Sequence, residues 1–206
     1  MLVKPARKPE RAAQAAGTRR DLLLHARKLF AQKGYVESST DEVGRRAKVT
    51  KGALYHHFSN KRELYLAVIE DMEQELTARI EAAGAATRDP WHRLQAMCRA
   101  YLDSCRDPAL TRILVLEAPV VLGWKTWCNL EQKYEVAAFA RCLQEAGAVG
   151  FSQSALPESA ETLAQVILGA LTTGARVIAT AANPDAARKE VEQTIERLLA
   201  GLRSTA

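Results

Sequence analysis

Five helix starts are written into this chain, and they confine it to an all-helical fold. Asp89-Pro90, Asp107-Pro108 and Asn183-Pro184 each join an N-capping side chain to a proline, whose fixed φ and missing N–H suit the first helical position. Ser39 with Glu42, and Asn60 with Glu63, have the spacing of capping boxes. Between these marks apolar residues recur at i, i+3/i+4 and i+7. Leu22, Leu23, Ala26, Leu29 and Phe30 predict a helix over 18–33 that Gly34 stops. Ser39 opens a short helix through Ala47, and Thr50 can cap a third. Tyr65, Ile69, Met72, Leu76 and Ile80 make one stripe on a fourth, which runs to about Gly84. Further helices are predicted at 90–105, 108–118, 123–146, 157–181 and 184–202. That makes nine helices and no strand.

The third helix is the one with chemistry on its surface. Leu54 and Phe58 share a face that would pack on Val43 and Phe30, which leaves Lys51, Gly52, Ala53 and His56 pointing outward. A short capped helix with small residues at its front end and a cation beside them suits the major groove of DNA. Lys51 is the candidate for a guanine O6/N7 contact and Ala53 for a thymine methyl, while Gly52 would let the backbone approach closely. Asp41 is unfavourable near phosphate unless it accepts from a cytosine amine.

Gly34-Tyr35, Ser38-Ser39, Val43, Ala47, Val49-Thr50, Gly52, Leu54-Tyr55, His57-Phe58, Lys61 and Leu64 follow one another at characteristic spacings. In these residues the stretch 18–66 resembles the N-terminal domain of TetR-family transcriptional regulators. The resemblance implies a helix-turn-helix DNA-binding domain at 18–65 and a helical effector-binding and dimerisation domain at 66–206. It also implies a cytoplasmic homodimer on double-stranded DNA, a repressor released from a pseudo-palindromic operator by a small molecule, with no catalysis and no cofactor. Thr40, Thr50, Tyr55, His57 and Lys61 are then phosphate contacts, and His56 serves either base or phosphate; the other reading of His57 is packing beside the first helix. Three positions depart from the pattern. Thr40 and Gly44 stand where the family prefers an apolar residue and Ala, and Gly44 is expected to fray the second helix. Lys48 stands where it prefers Gly: either its backbone is left-handed, at about 1 kcal/mol, with a nearby phosphate in compensation, or the turn has another geometry.

Charge is polarised along the chain. Residues 1–66 hold 15 Lys/Arg against six Asp/Glu, a net of +9, while residues 67–206 hold 14 against 18, a net of −4. One end suits a polyanion and the other does not. Lys4, Arg7, Lys8, Arg11, Arg19 and Arg20 precede or open the first helix, and the polar segment 1–17 is predicted to be a disordered basic arm, either tracking phosphates or an inert tail. Charge alone would equally fit a nonspecific DNA-packaging protein, which would bind all sequences alike. No apolar run approaches a membrane span in this reading, so no membrane contact is expected. Cys98, Cys105, Cys128 and Cys142 lack CxxC spacing, and His25, His56, His57 and His92 are not spaced as ligands, which argues against a metal site. The thiols are read as buried and free, with redox sensing as the alternative.

The 157–181 helix is apolar nearly all round and so must be covered on both sides. Leu163, Ile167, Ala170, Leu171, Gly174 and Ile178, with Ile195, Leu199 and Leu202 of the last helix, are predicted to face a second subunit, as the resemblance implies. Gly169, Ala170, Thr173 and Gly174 would allow close approach. Effector-pocket candidates are Met97, Cys98, Tyr101, Leu102, Glu117, Trp124, Trp127, Tyr134 and Arg176, which suggest an apolar cavity with one carboxylate for a lipophilic or cationic aromatic molecule. The alternative for Glu117 is pairing with Arg112, Arg176 or a helix N-terminus.

Overall fold

The computed structural model describes residues 7–147 and 159–201, and every described element is a helix. The chain divides into two compact units after Ile69. The first holds α1 (Arg7–Lys33), α2 (Thr40–Ala47), α3 (Lys51–His57) and the opening turns of α4 (Lys61–Ala85).

Helix α1 begins eleven residues before the expected start at residue 18. Residues 7–17, expected within a disordered arm, continue the helix. Four Ala with Arg7, Lys8, Glu10, Arg11 and Gln14 are strong helix formers, Pro9 is tolerated in the first turn, and an anchored helix propagates through such residues without the nucleation cost an isolated segment bears. Residues 1–6, Lys4 among them, lie outside the described residues. Gly34 ends α1 at φ 81°. Leu22, Ala26, Leu29, Phe30, Val43, Leu54, Phe58, Leu64 and Tyr65 are buried together. Tyr65 packs edge-on against Phe30 at 4.9 Å and Tyr35 at 4.8 Å between ring centroids. Gly44 does not fray α2; it is buried, and Val49 O passes 3.3 Å from where a Cβ would stand.

The second unit takes the rest of α4 and five more helices, making nine among the described residues: α5 (Pro90–Ser104), α6, α7, α8 (Ala160–Thr180) and α9 (Pro184–Ala200). Helix α6 runs as Pro108–Leu110, a wide π-helical segment Thr111–Glu117, and Ala118–Leu122. Pro119 has no N–H to give to residue 115 and its ring crowds that carbonyl, so the ladder shifts and the Ala118 N–H reaches back to Ile113 O. Gly123, at φ 80° and ψ 151°, turns the chain into α7 in a conformation that other residues avoid. Helix α7 contains a second π-helical segment, Gln132–Val136, between Trp124–Glu131 and Ala137–Gly147. Asp89, Asp107, Ser159 and Asn183 cap α5, α6, α8 and α9 as side-chain acceptors.

Helix α8 corrects two expectations. By length and mean hydropathy, 1.4, Ala160–Thr180 could cross a membrane, although no such run was anticipated. Half of that window is buried in the protein's own core, which is what an apolar helix at the centre of a bundle requires. The second correction concerns faces. Leu163, Ile167, Leu171, Gly174 and Ile178, assigned to a partner subunit, are buried within the chain, as are Ile195 and Leu199 of α9. Leu202 lies outside the described residues. A Cβ on Gly174 would stand 2.5 Å from Val191 Cγ1, so this glycine admits α9 and not a second copy. What α8 and α9 leave outside is Val166, Gly169, Thr173, Val177 and Leu198, with Ala170 half-buried.

Candidate nucleic-acid interface

Helix α3 is held from both ends. Thr50 Oγ1 accepts from Ala53 N at its start, and Phe58 N–H returns to Leu54 O at its end. Leu54 and Phe58 are buried, which fixes the rotation of the helix and turns Lys51, Gly52, Tyr55 and His56 to solvent with Ala53 half-buried. The turn before it contains the strained residue. Lys48 has φ 55° and ψ 35°, the left-handed conformation, with its N–H bonded to Arg45 O at 3.2 Å. Of the two readings of this turn, the left-handed one is correct.

Two contacts join α2 to α3. Thr40 Oγ1 and Tyr55 OH are 3.3 Å apart, and Lys51 Nζ lies 3.4 Å from Asp41 Oδ1 and 5.9 Å above the Tyr55 ring. Lys51 and Asp41 keep 70% and 64% of their side-chain exposure, so the pair is worth at most about 1 kcal/mol and separates easily. Between them runs a cleft of about 250 Å³ that Arg45 also lines. Arg45 was missed in the sequence, although Asp41 and Arg45 follow at i and i+4 and share the outer face of α2.

Lys61 is not available as a phosphate contact. Its ammonium donates to Tyr35 O, Val36 O and Ser38 O at 2.9, 3.2 and 3.0 Å and sits 4.3 Å above the Tyr35 ring. An ammonium has three donors, and all three are spent fastening the α1–α2 connection to the start of α4. Ser38 completes that fastening by donating to Gly34 O at 2.6 Å. His57 is half-buried; desolvation first, then His56 and the Arg19 guanidinium, hold its imidazole below the ordinary histidine range. Burial thus favours its neutral form, which has one N–H to give. Glu42 bridges Lys33 and Arg46 at 2.9 and 2.8 Å, which brace α2 and hold its carboxyl below the usual range, Lys33 foremost.

The residues proposed for an effector pocket are scattered. Trp124 is 73% exposed, Arg176 is exposed, and Glu117 pairs with Arg112 at 3.0 Å beside an open groove of about 700 Å³. Met97 faces Gly84 and Cys142 elsewhere, Tyr134 takes a hydrogen bond from Gln74, and Cys98 and Leu102 are plain core. Tyr101 and Trp127 do come together, around carboxylates the sequence reading missed: Glu73 of α4 and Glu131 and Glu135 of α7. Glu73 and Glu135 are each 2% exposed. Burial, then the Glu135 carboxyl, pushes Glu73 far up; burial raises Glu135 as well, and burial followed by Glu135 takes Glu131 to about 7. The signal was present, because Glu73 lies four residues after Ile69 and three before Leu76, on the buried stripe of α4.

The cysteines are free; burial pushes Cys98 and Cys105 up to about 12 and Cys142 to about 11, which disfavours their thiolates, while Cys128 is half-exposed and its thiol is raised by desolvation. Among the described residues, no group of three His, Cys, Asp or Glu is placed to hold a metal ion.

A profile described as "Bacterial regulatory proteins, tetR family" matches residues 22–68, and one described as "Tetracyclin repressor-like, C-terminal domain" matches residues 91–202. The chain is 34% identical over 117 residues to the transposon Tn10 TetC protein of Escherichia coli, covering 57% of this chain and 59% of that one. It is 40% identical over 85 residues to the HTH-type transcriptional activator FasR of Mycolicibacterium smegmatis, covering 41% of this chain and 39% of that one. These matched stretches span about half the length of the two relatives. Among solved structures, a TetR-family transcriptional regulator from Pectobacterium atrosepticum shares the fold with a TM-score of 0.80 at 32% identity, covering 94% of this chain and 97% of that one.

Proposed function

The chain belongs to the TetR family of transcriptional regulators, DNA-binding proteins and not enzymes, and from that premise we propose that it is a repressor that leaves its operator when a small molecule binds the second unit. The observation that carries the DNA side is the exposed α3 surface, whose rotation is fixed by Leu54 and Phe58 beneath it. Lys51 and Asp41 stand side by side as donor and acceptor. A G·C pair presents guanine O6 and N7 as acceptors beside a cytosine N4 donor, so this pair of side chains can read one base pair jointly. Tyr55, Thr40 and Thr50 supply hydroxyls, and Lys48 and Arg45 supply charge, for the flanking phosphates. Ala53 and Gly52 permit the approach, and His56 and His57 add ring N–H donors at the edge.

A cytoplasmic homodimer goes with this reading. The outer faces of α8 and α9, Val166, Gly169, Ala170, Thr173, Val177 and Leu198, supply the surface for a second copy. A two-fold pair would set its reading helices about 34 to 36 Å apart on one side of a pseudo-palindromic site. Effector and operator are then linked through their different affinities for two states.

The test is binding of the wild type, Lys51→Ala and Tyr55→Phe to DNA flanking its own gene and to random DNA, by fluorescence anisotropy. Lys51→Ala should lose at least tenfold on the specific site and little on random sequence. Tyr55→Phe should weaken both alike. Equal losses for Lys51→Ala on the two DNAs would remove it from base reading, and a wild type without sequence preference would remove the proposal. A promoter whose transcription falls when the protein is deleted would make it an activator.

A further inference from the structure

We propose that Gly44 is a positioning residue for DNA reading: the side chain it lacks sets how closely α3 lies against α2, and so whether Lys51 and Asp41 can address one base pair together. This deepens the operator reading above and rests on it, adding a buried residue that itself offers DNA no side chain. Gly44 lies one turn beyond Thr40 and Asp41 on α2. It lines the cleft of about 250 Å³ between α2 and α3, together with Thr40, Asp41, Lys51 and Tyr55. A Cβ at this position would stand 3.3 Å from Val49 O and 3.5 Å from Leu54 Cδ1. The first is the last carbonyl before the α3 cap, and the second belongs to the side chain that fixes the rotation of α3. A methyl group here would press on α3 at both points.

The turn that would have to yield is stiff. Val49 N–H is bonded to Gly44 O at 2.9 Å, and Lys48, at φ 55°, occupies a small region of backbone space that gives a residue with a Cβ little freedom. Thr50 then takes up α3 directly, accepting from Ala53 N through its hydroxyl and from Leu54 N through its carbonyl. Moving Val49 O by a few tenths of an ångström therefore carries the front of α3 with it. The contacts across the cleft have little slack. Thr40 Oγ1 and Tyr55 OH are 3.3 Å apart and Lys51 Nζ lies 3.4 Å from Asp41 Oδ1, both at the long end of hydrogen-bonding distance, so a wider cleft parts them. Hydrogen bonds to base edges have the same short range and depend on where α3 stands. Phosphate contacts from long side chains such as Lys48 and Arg45 can follow a small shift, so the loss should fall on sequence reading and spare general affinity.

The experiment compares the full chain as wild type, Gly44→Ala, Gly17→Ala, and Gly44→Ala combined with Lys48→Gly. Affinity for DNA flanking its own gene and for random DNA is measured by fluorescence anisotropy, with thermal unfolding alongside. A Cβ on Gly17 of α1 would meet nothing within 4 Å, so that variant carries only the helix-propensity gain of the substitution. Gly44→Ala should fold with a midpoint within about 3 °C of wild type, while its ratio of specific to random affinity falls about three- to tenfold. Gly17→Ala should keep the wild-type ratio. With glycine at 48 the turn can absorb the methyl group, and most of the ratio should return; the lost Lys48 charge weakens both DNAs alike and cancels. A double-mutant cycle of Lys51→Ala and Asp41→Ala on the specific DNA should show coupling in the wild-type background and less of it in Gly44→Ala, a readout that stability alone does not move. An unchanged ratio, equal losses on both DNAs, the same fall in Gly17→Ala, no return in the combined variant, unchanged coupling, or a Gly44→Ala chain that does not fold would each overturn the positioning role. A wild type without sequence preference would instead remove the operator reading, so the two failures are told apart.

Discussion

Lys48→Gly should make the protein more stable and its DNA complex weaker, two effects that one side chain rarely separates. At φ 55° and ψ 35° the lysine Cβ crowds the backbone carbonyl that follows it, and for an L-residue this costs about 1 to 2 kcal/mol. Glycine escapes that crowding but gains freedom in the unfolded chain worth about 0.5 to 1 kcal/mol. The net is a stabilisation of about 0.5 to 1 kcal/mol, since the N–H bond to Arg45 O is kept. For a chain of this length that corresponds to a rise of roughly 1 to 4 °C in the unfolding midpoint. Lys48→Ala is the comparator, because it loses the charge and keeps the Cβ. Thermal unfolding of the three proteins followed by circular dichroism, with urea titrations for the free energies, should order them Gly above wild type, with Ala no better than wild type. DNA affinity measured across salt concentrations should show the slope of log K against log salt reduced by about one in both variants. A glycine variant no more stable than the alanine variant would refute the strain argument, and an unchanged salt slope would remove Lys48 from the phosphate contacts.

Lys61→Met should lower stability by about 1 to 3 kcal/mol, through loss of a charged donor to three carbonyls, and leave the salt slope of DNA binding unchanged; normal stability with a reduced slope would return it to the phosphate. Gly174→Ala places a Cβ 2.5 Å from Val191 Cγ1 and should destabilise by about 1 to 3 kcal/mol in urea unfolding, with Val191→Ala restoring much of it. Without that rescue the steric account fails. Glu73, Glu131 and Glu135 hold their protons more tightly folded than unfolded, so the stability they contribute is complete below the unfolded carboxyl range and is lost as pH rises through the folded values, about 7 for Glu131. His57, held low, works the other way near neutrality. The clean measurement is therefore the difference between wild type and Glu131→Gln, which should move in favour of the variant from pH 5 to pH 8; a flat difference would mean that Glu131 is not desolvated.

The reading head was nearly transparent in the sequence because each of its features has a local cause. Ser39, Thr50 and Asn60 cap by reaching three residues ahead, and Leu54 and Phe58 decide the rotation of a helix only seven residues long. Lys61 shows where local reasoning stops. A lysine at a helix N-terminus beside a basic surface has the composition of a phosphate contact, yet the carbonyls that capture it come from 23 to 26 residues earlier and leave no trace in the pattern. The arm misled for the opposite reason, since lack of an apolar face argues against a core but not against a helix that continues an anchored one.

Helix α8 and the acid site expose a more general difficulty. A helix apolar on every side has two faces that periodicity cannot rank, and the decision belongs to packing. Leu163, Ile167, Leu171 and Ile178 fill the chain's own core, where close packing is obligatory and Gly174 is buried with them, while Val166, Gly169, Thr173 and Val177 are left outside. The carboxylates invert the same logic. Glu131 and Glu135 follow Trp127 at i+4 and i+8, so Trp127 buried at 5% exposure already carries them inward on its own face. A charge on a buried stripe is ordinarily grounds for doubting the stripe. Here the stripe is right and the charge is what changes, because a carboxyl that keeps its proton, as the hydrogen-bonded Glu73 and Glu135 pair can, is folded into a core at a modest penalty.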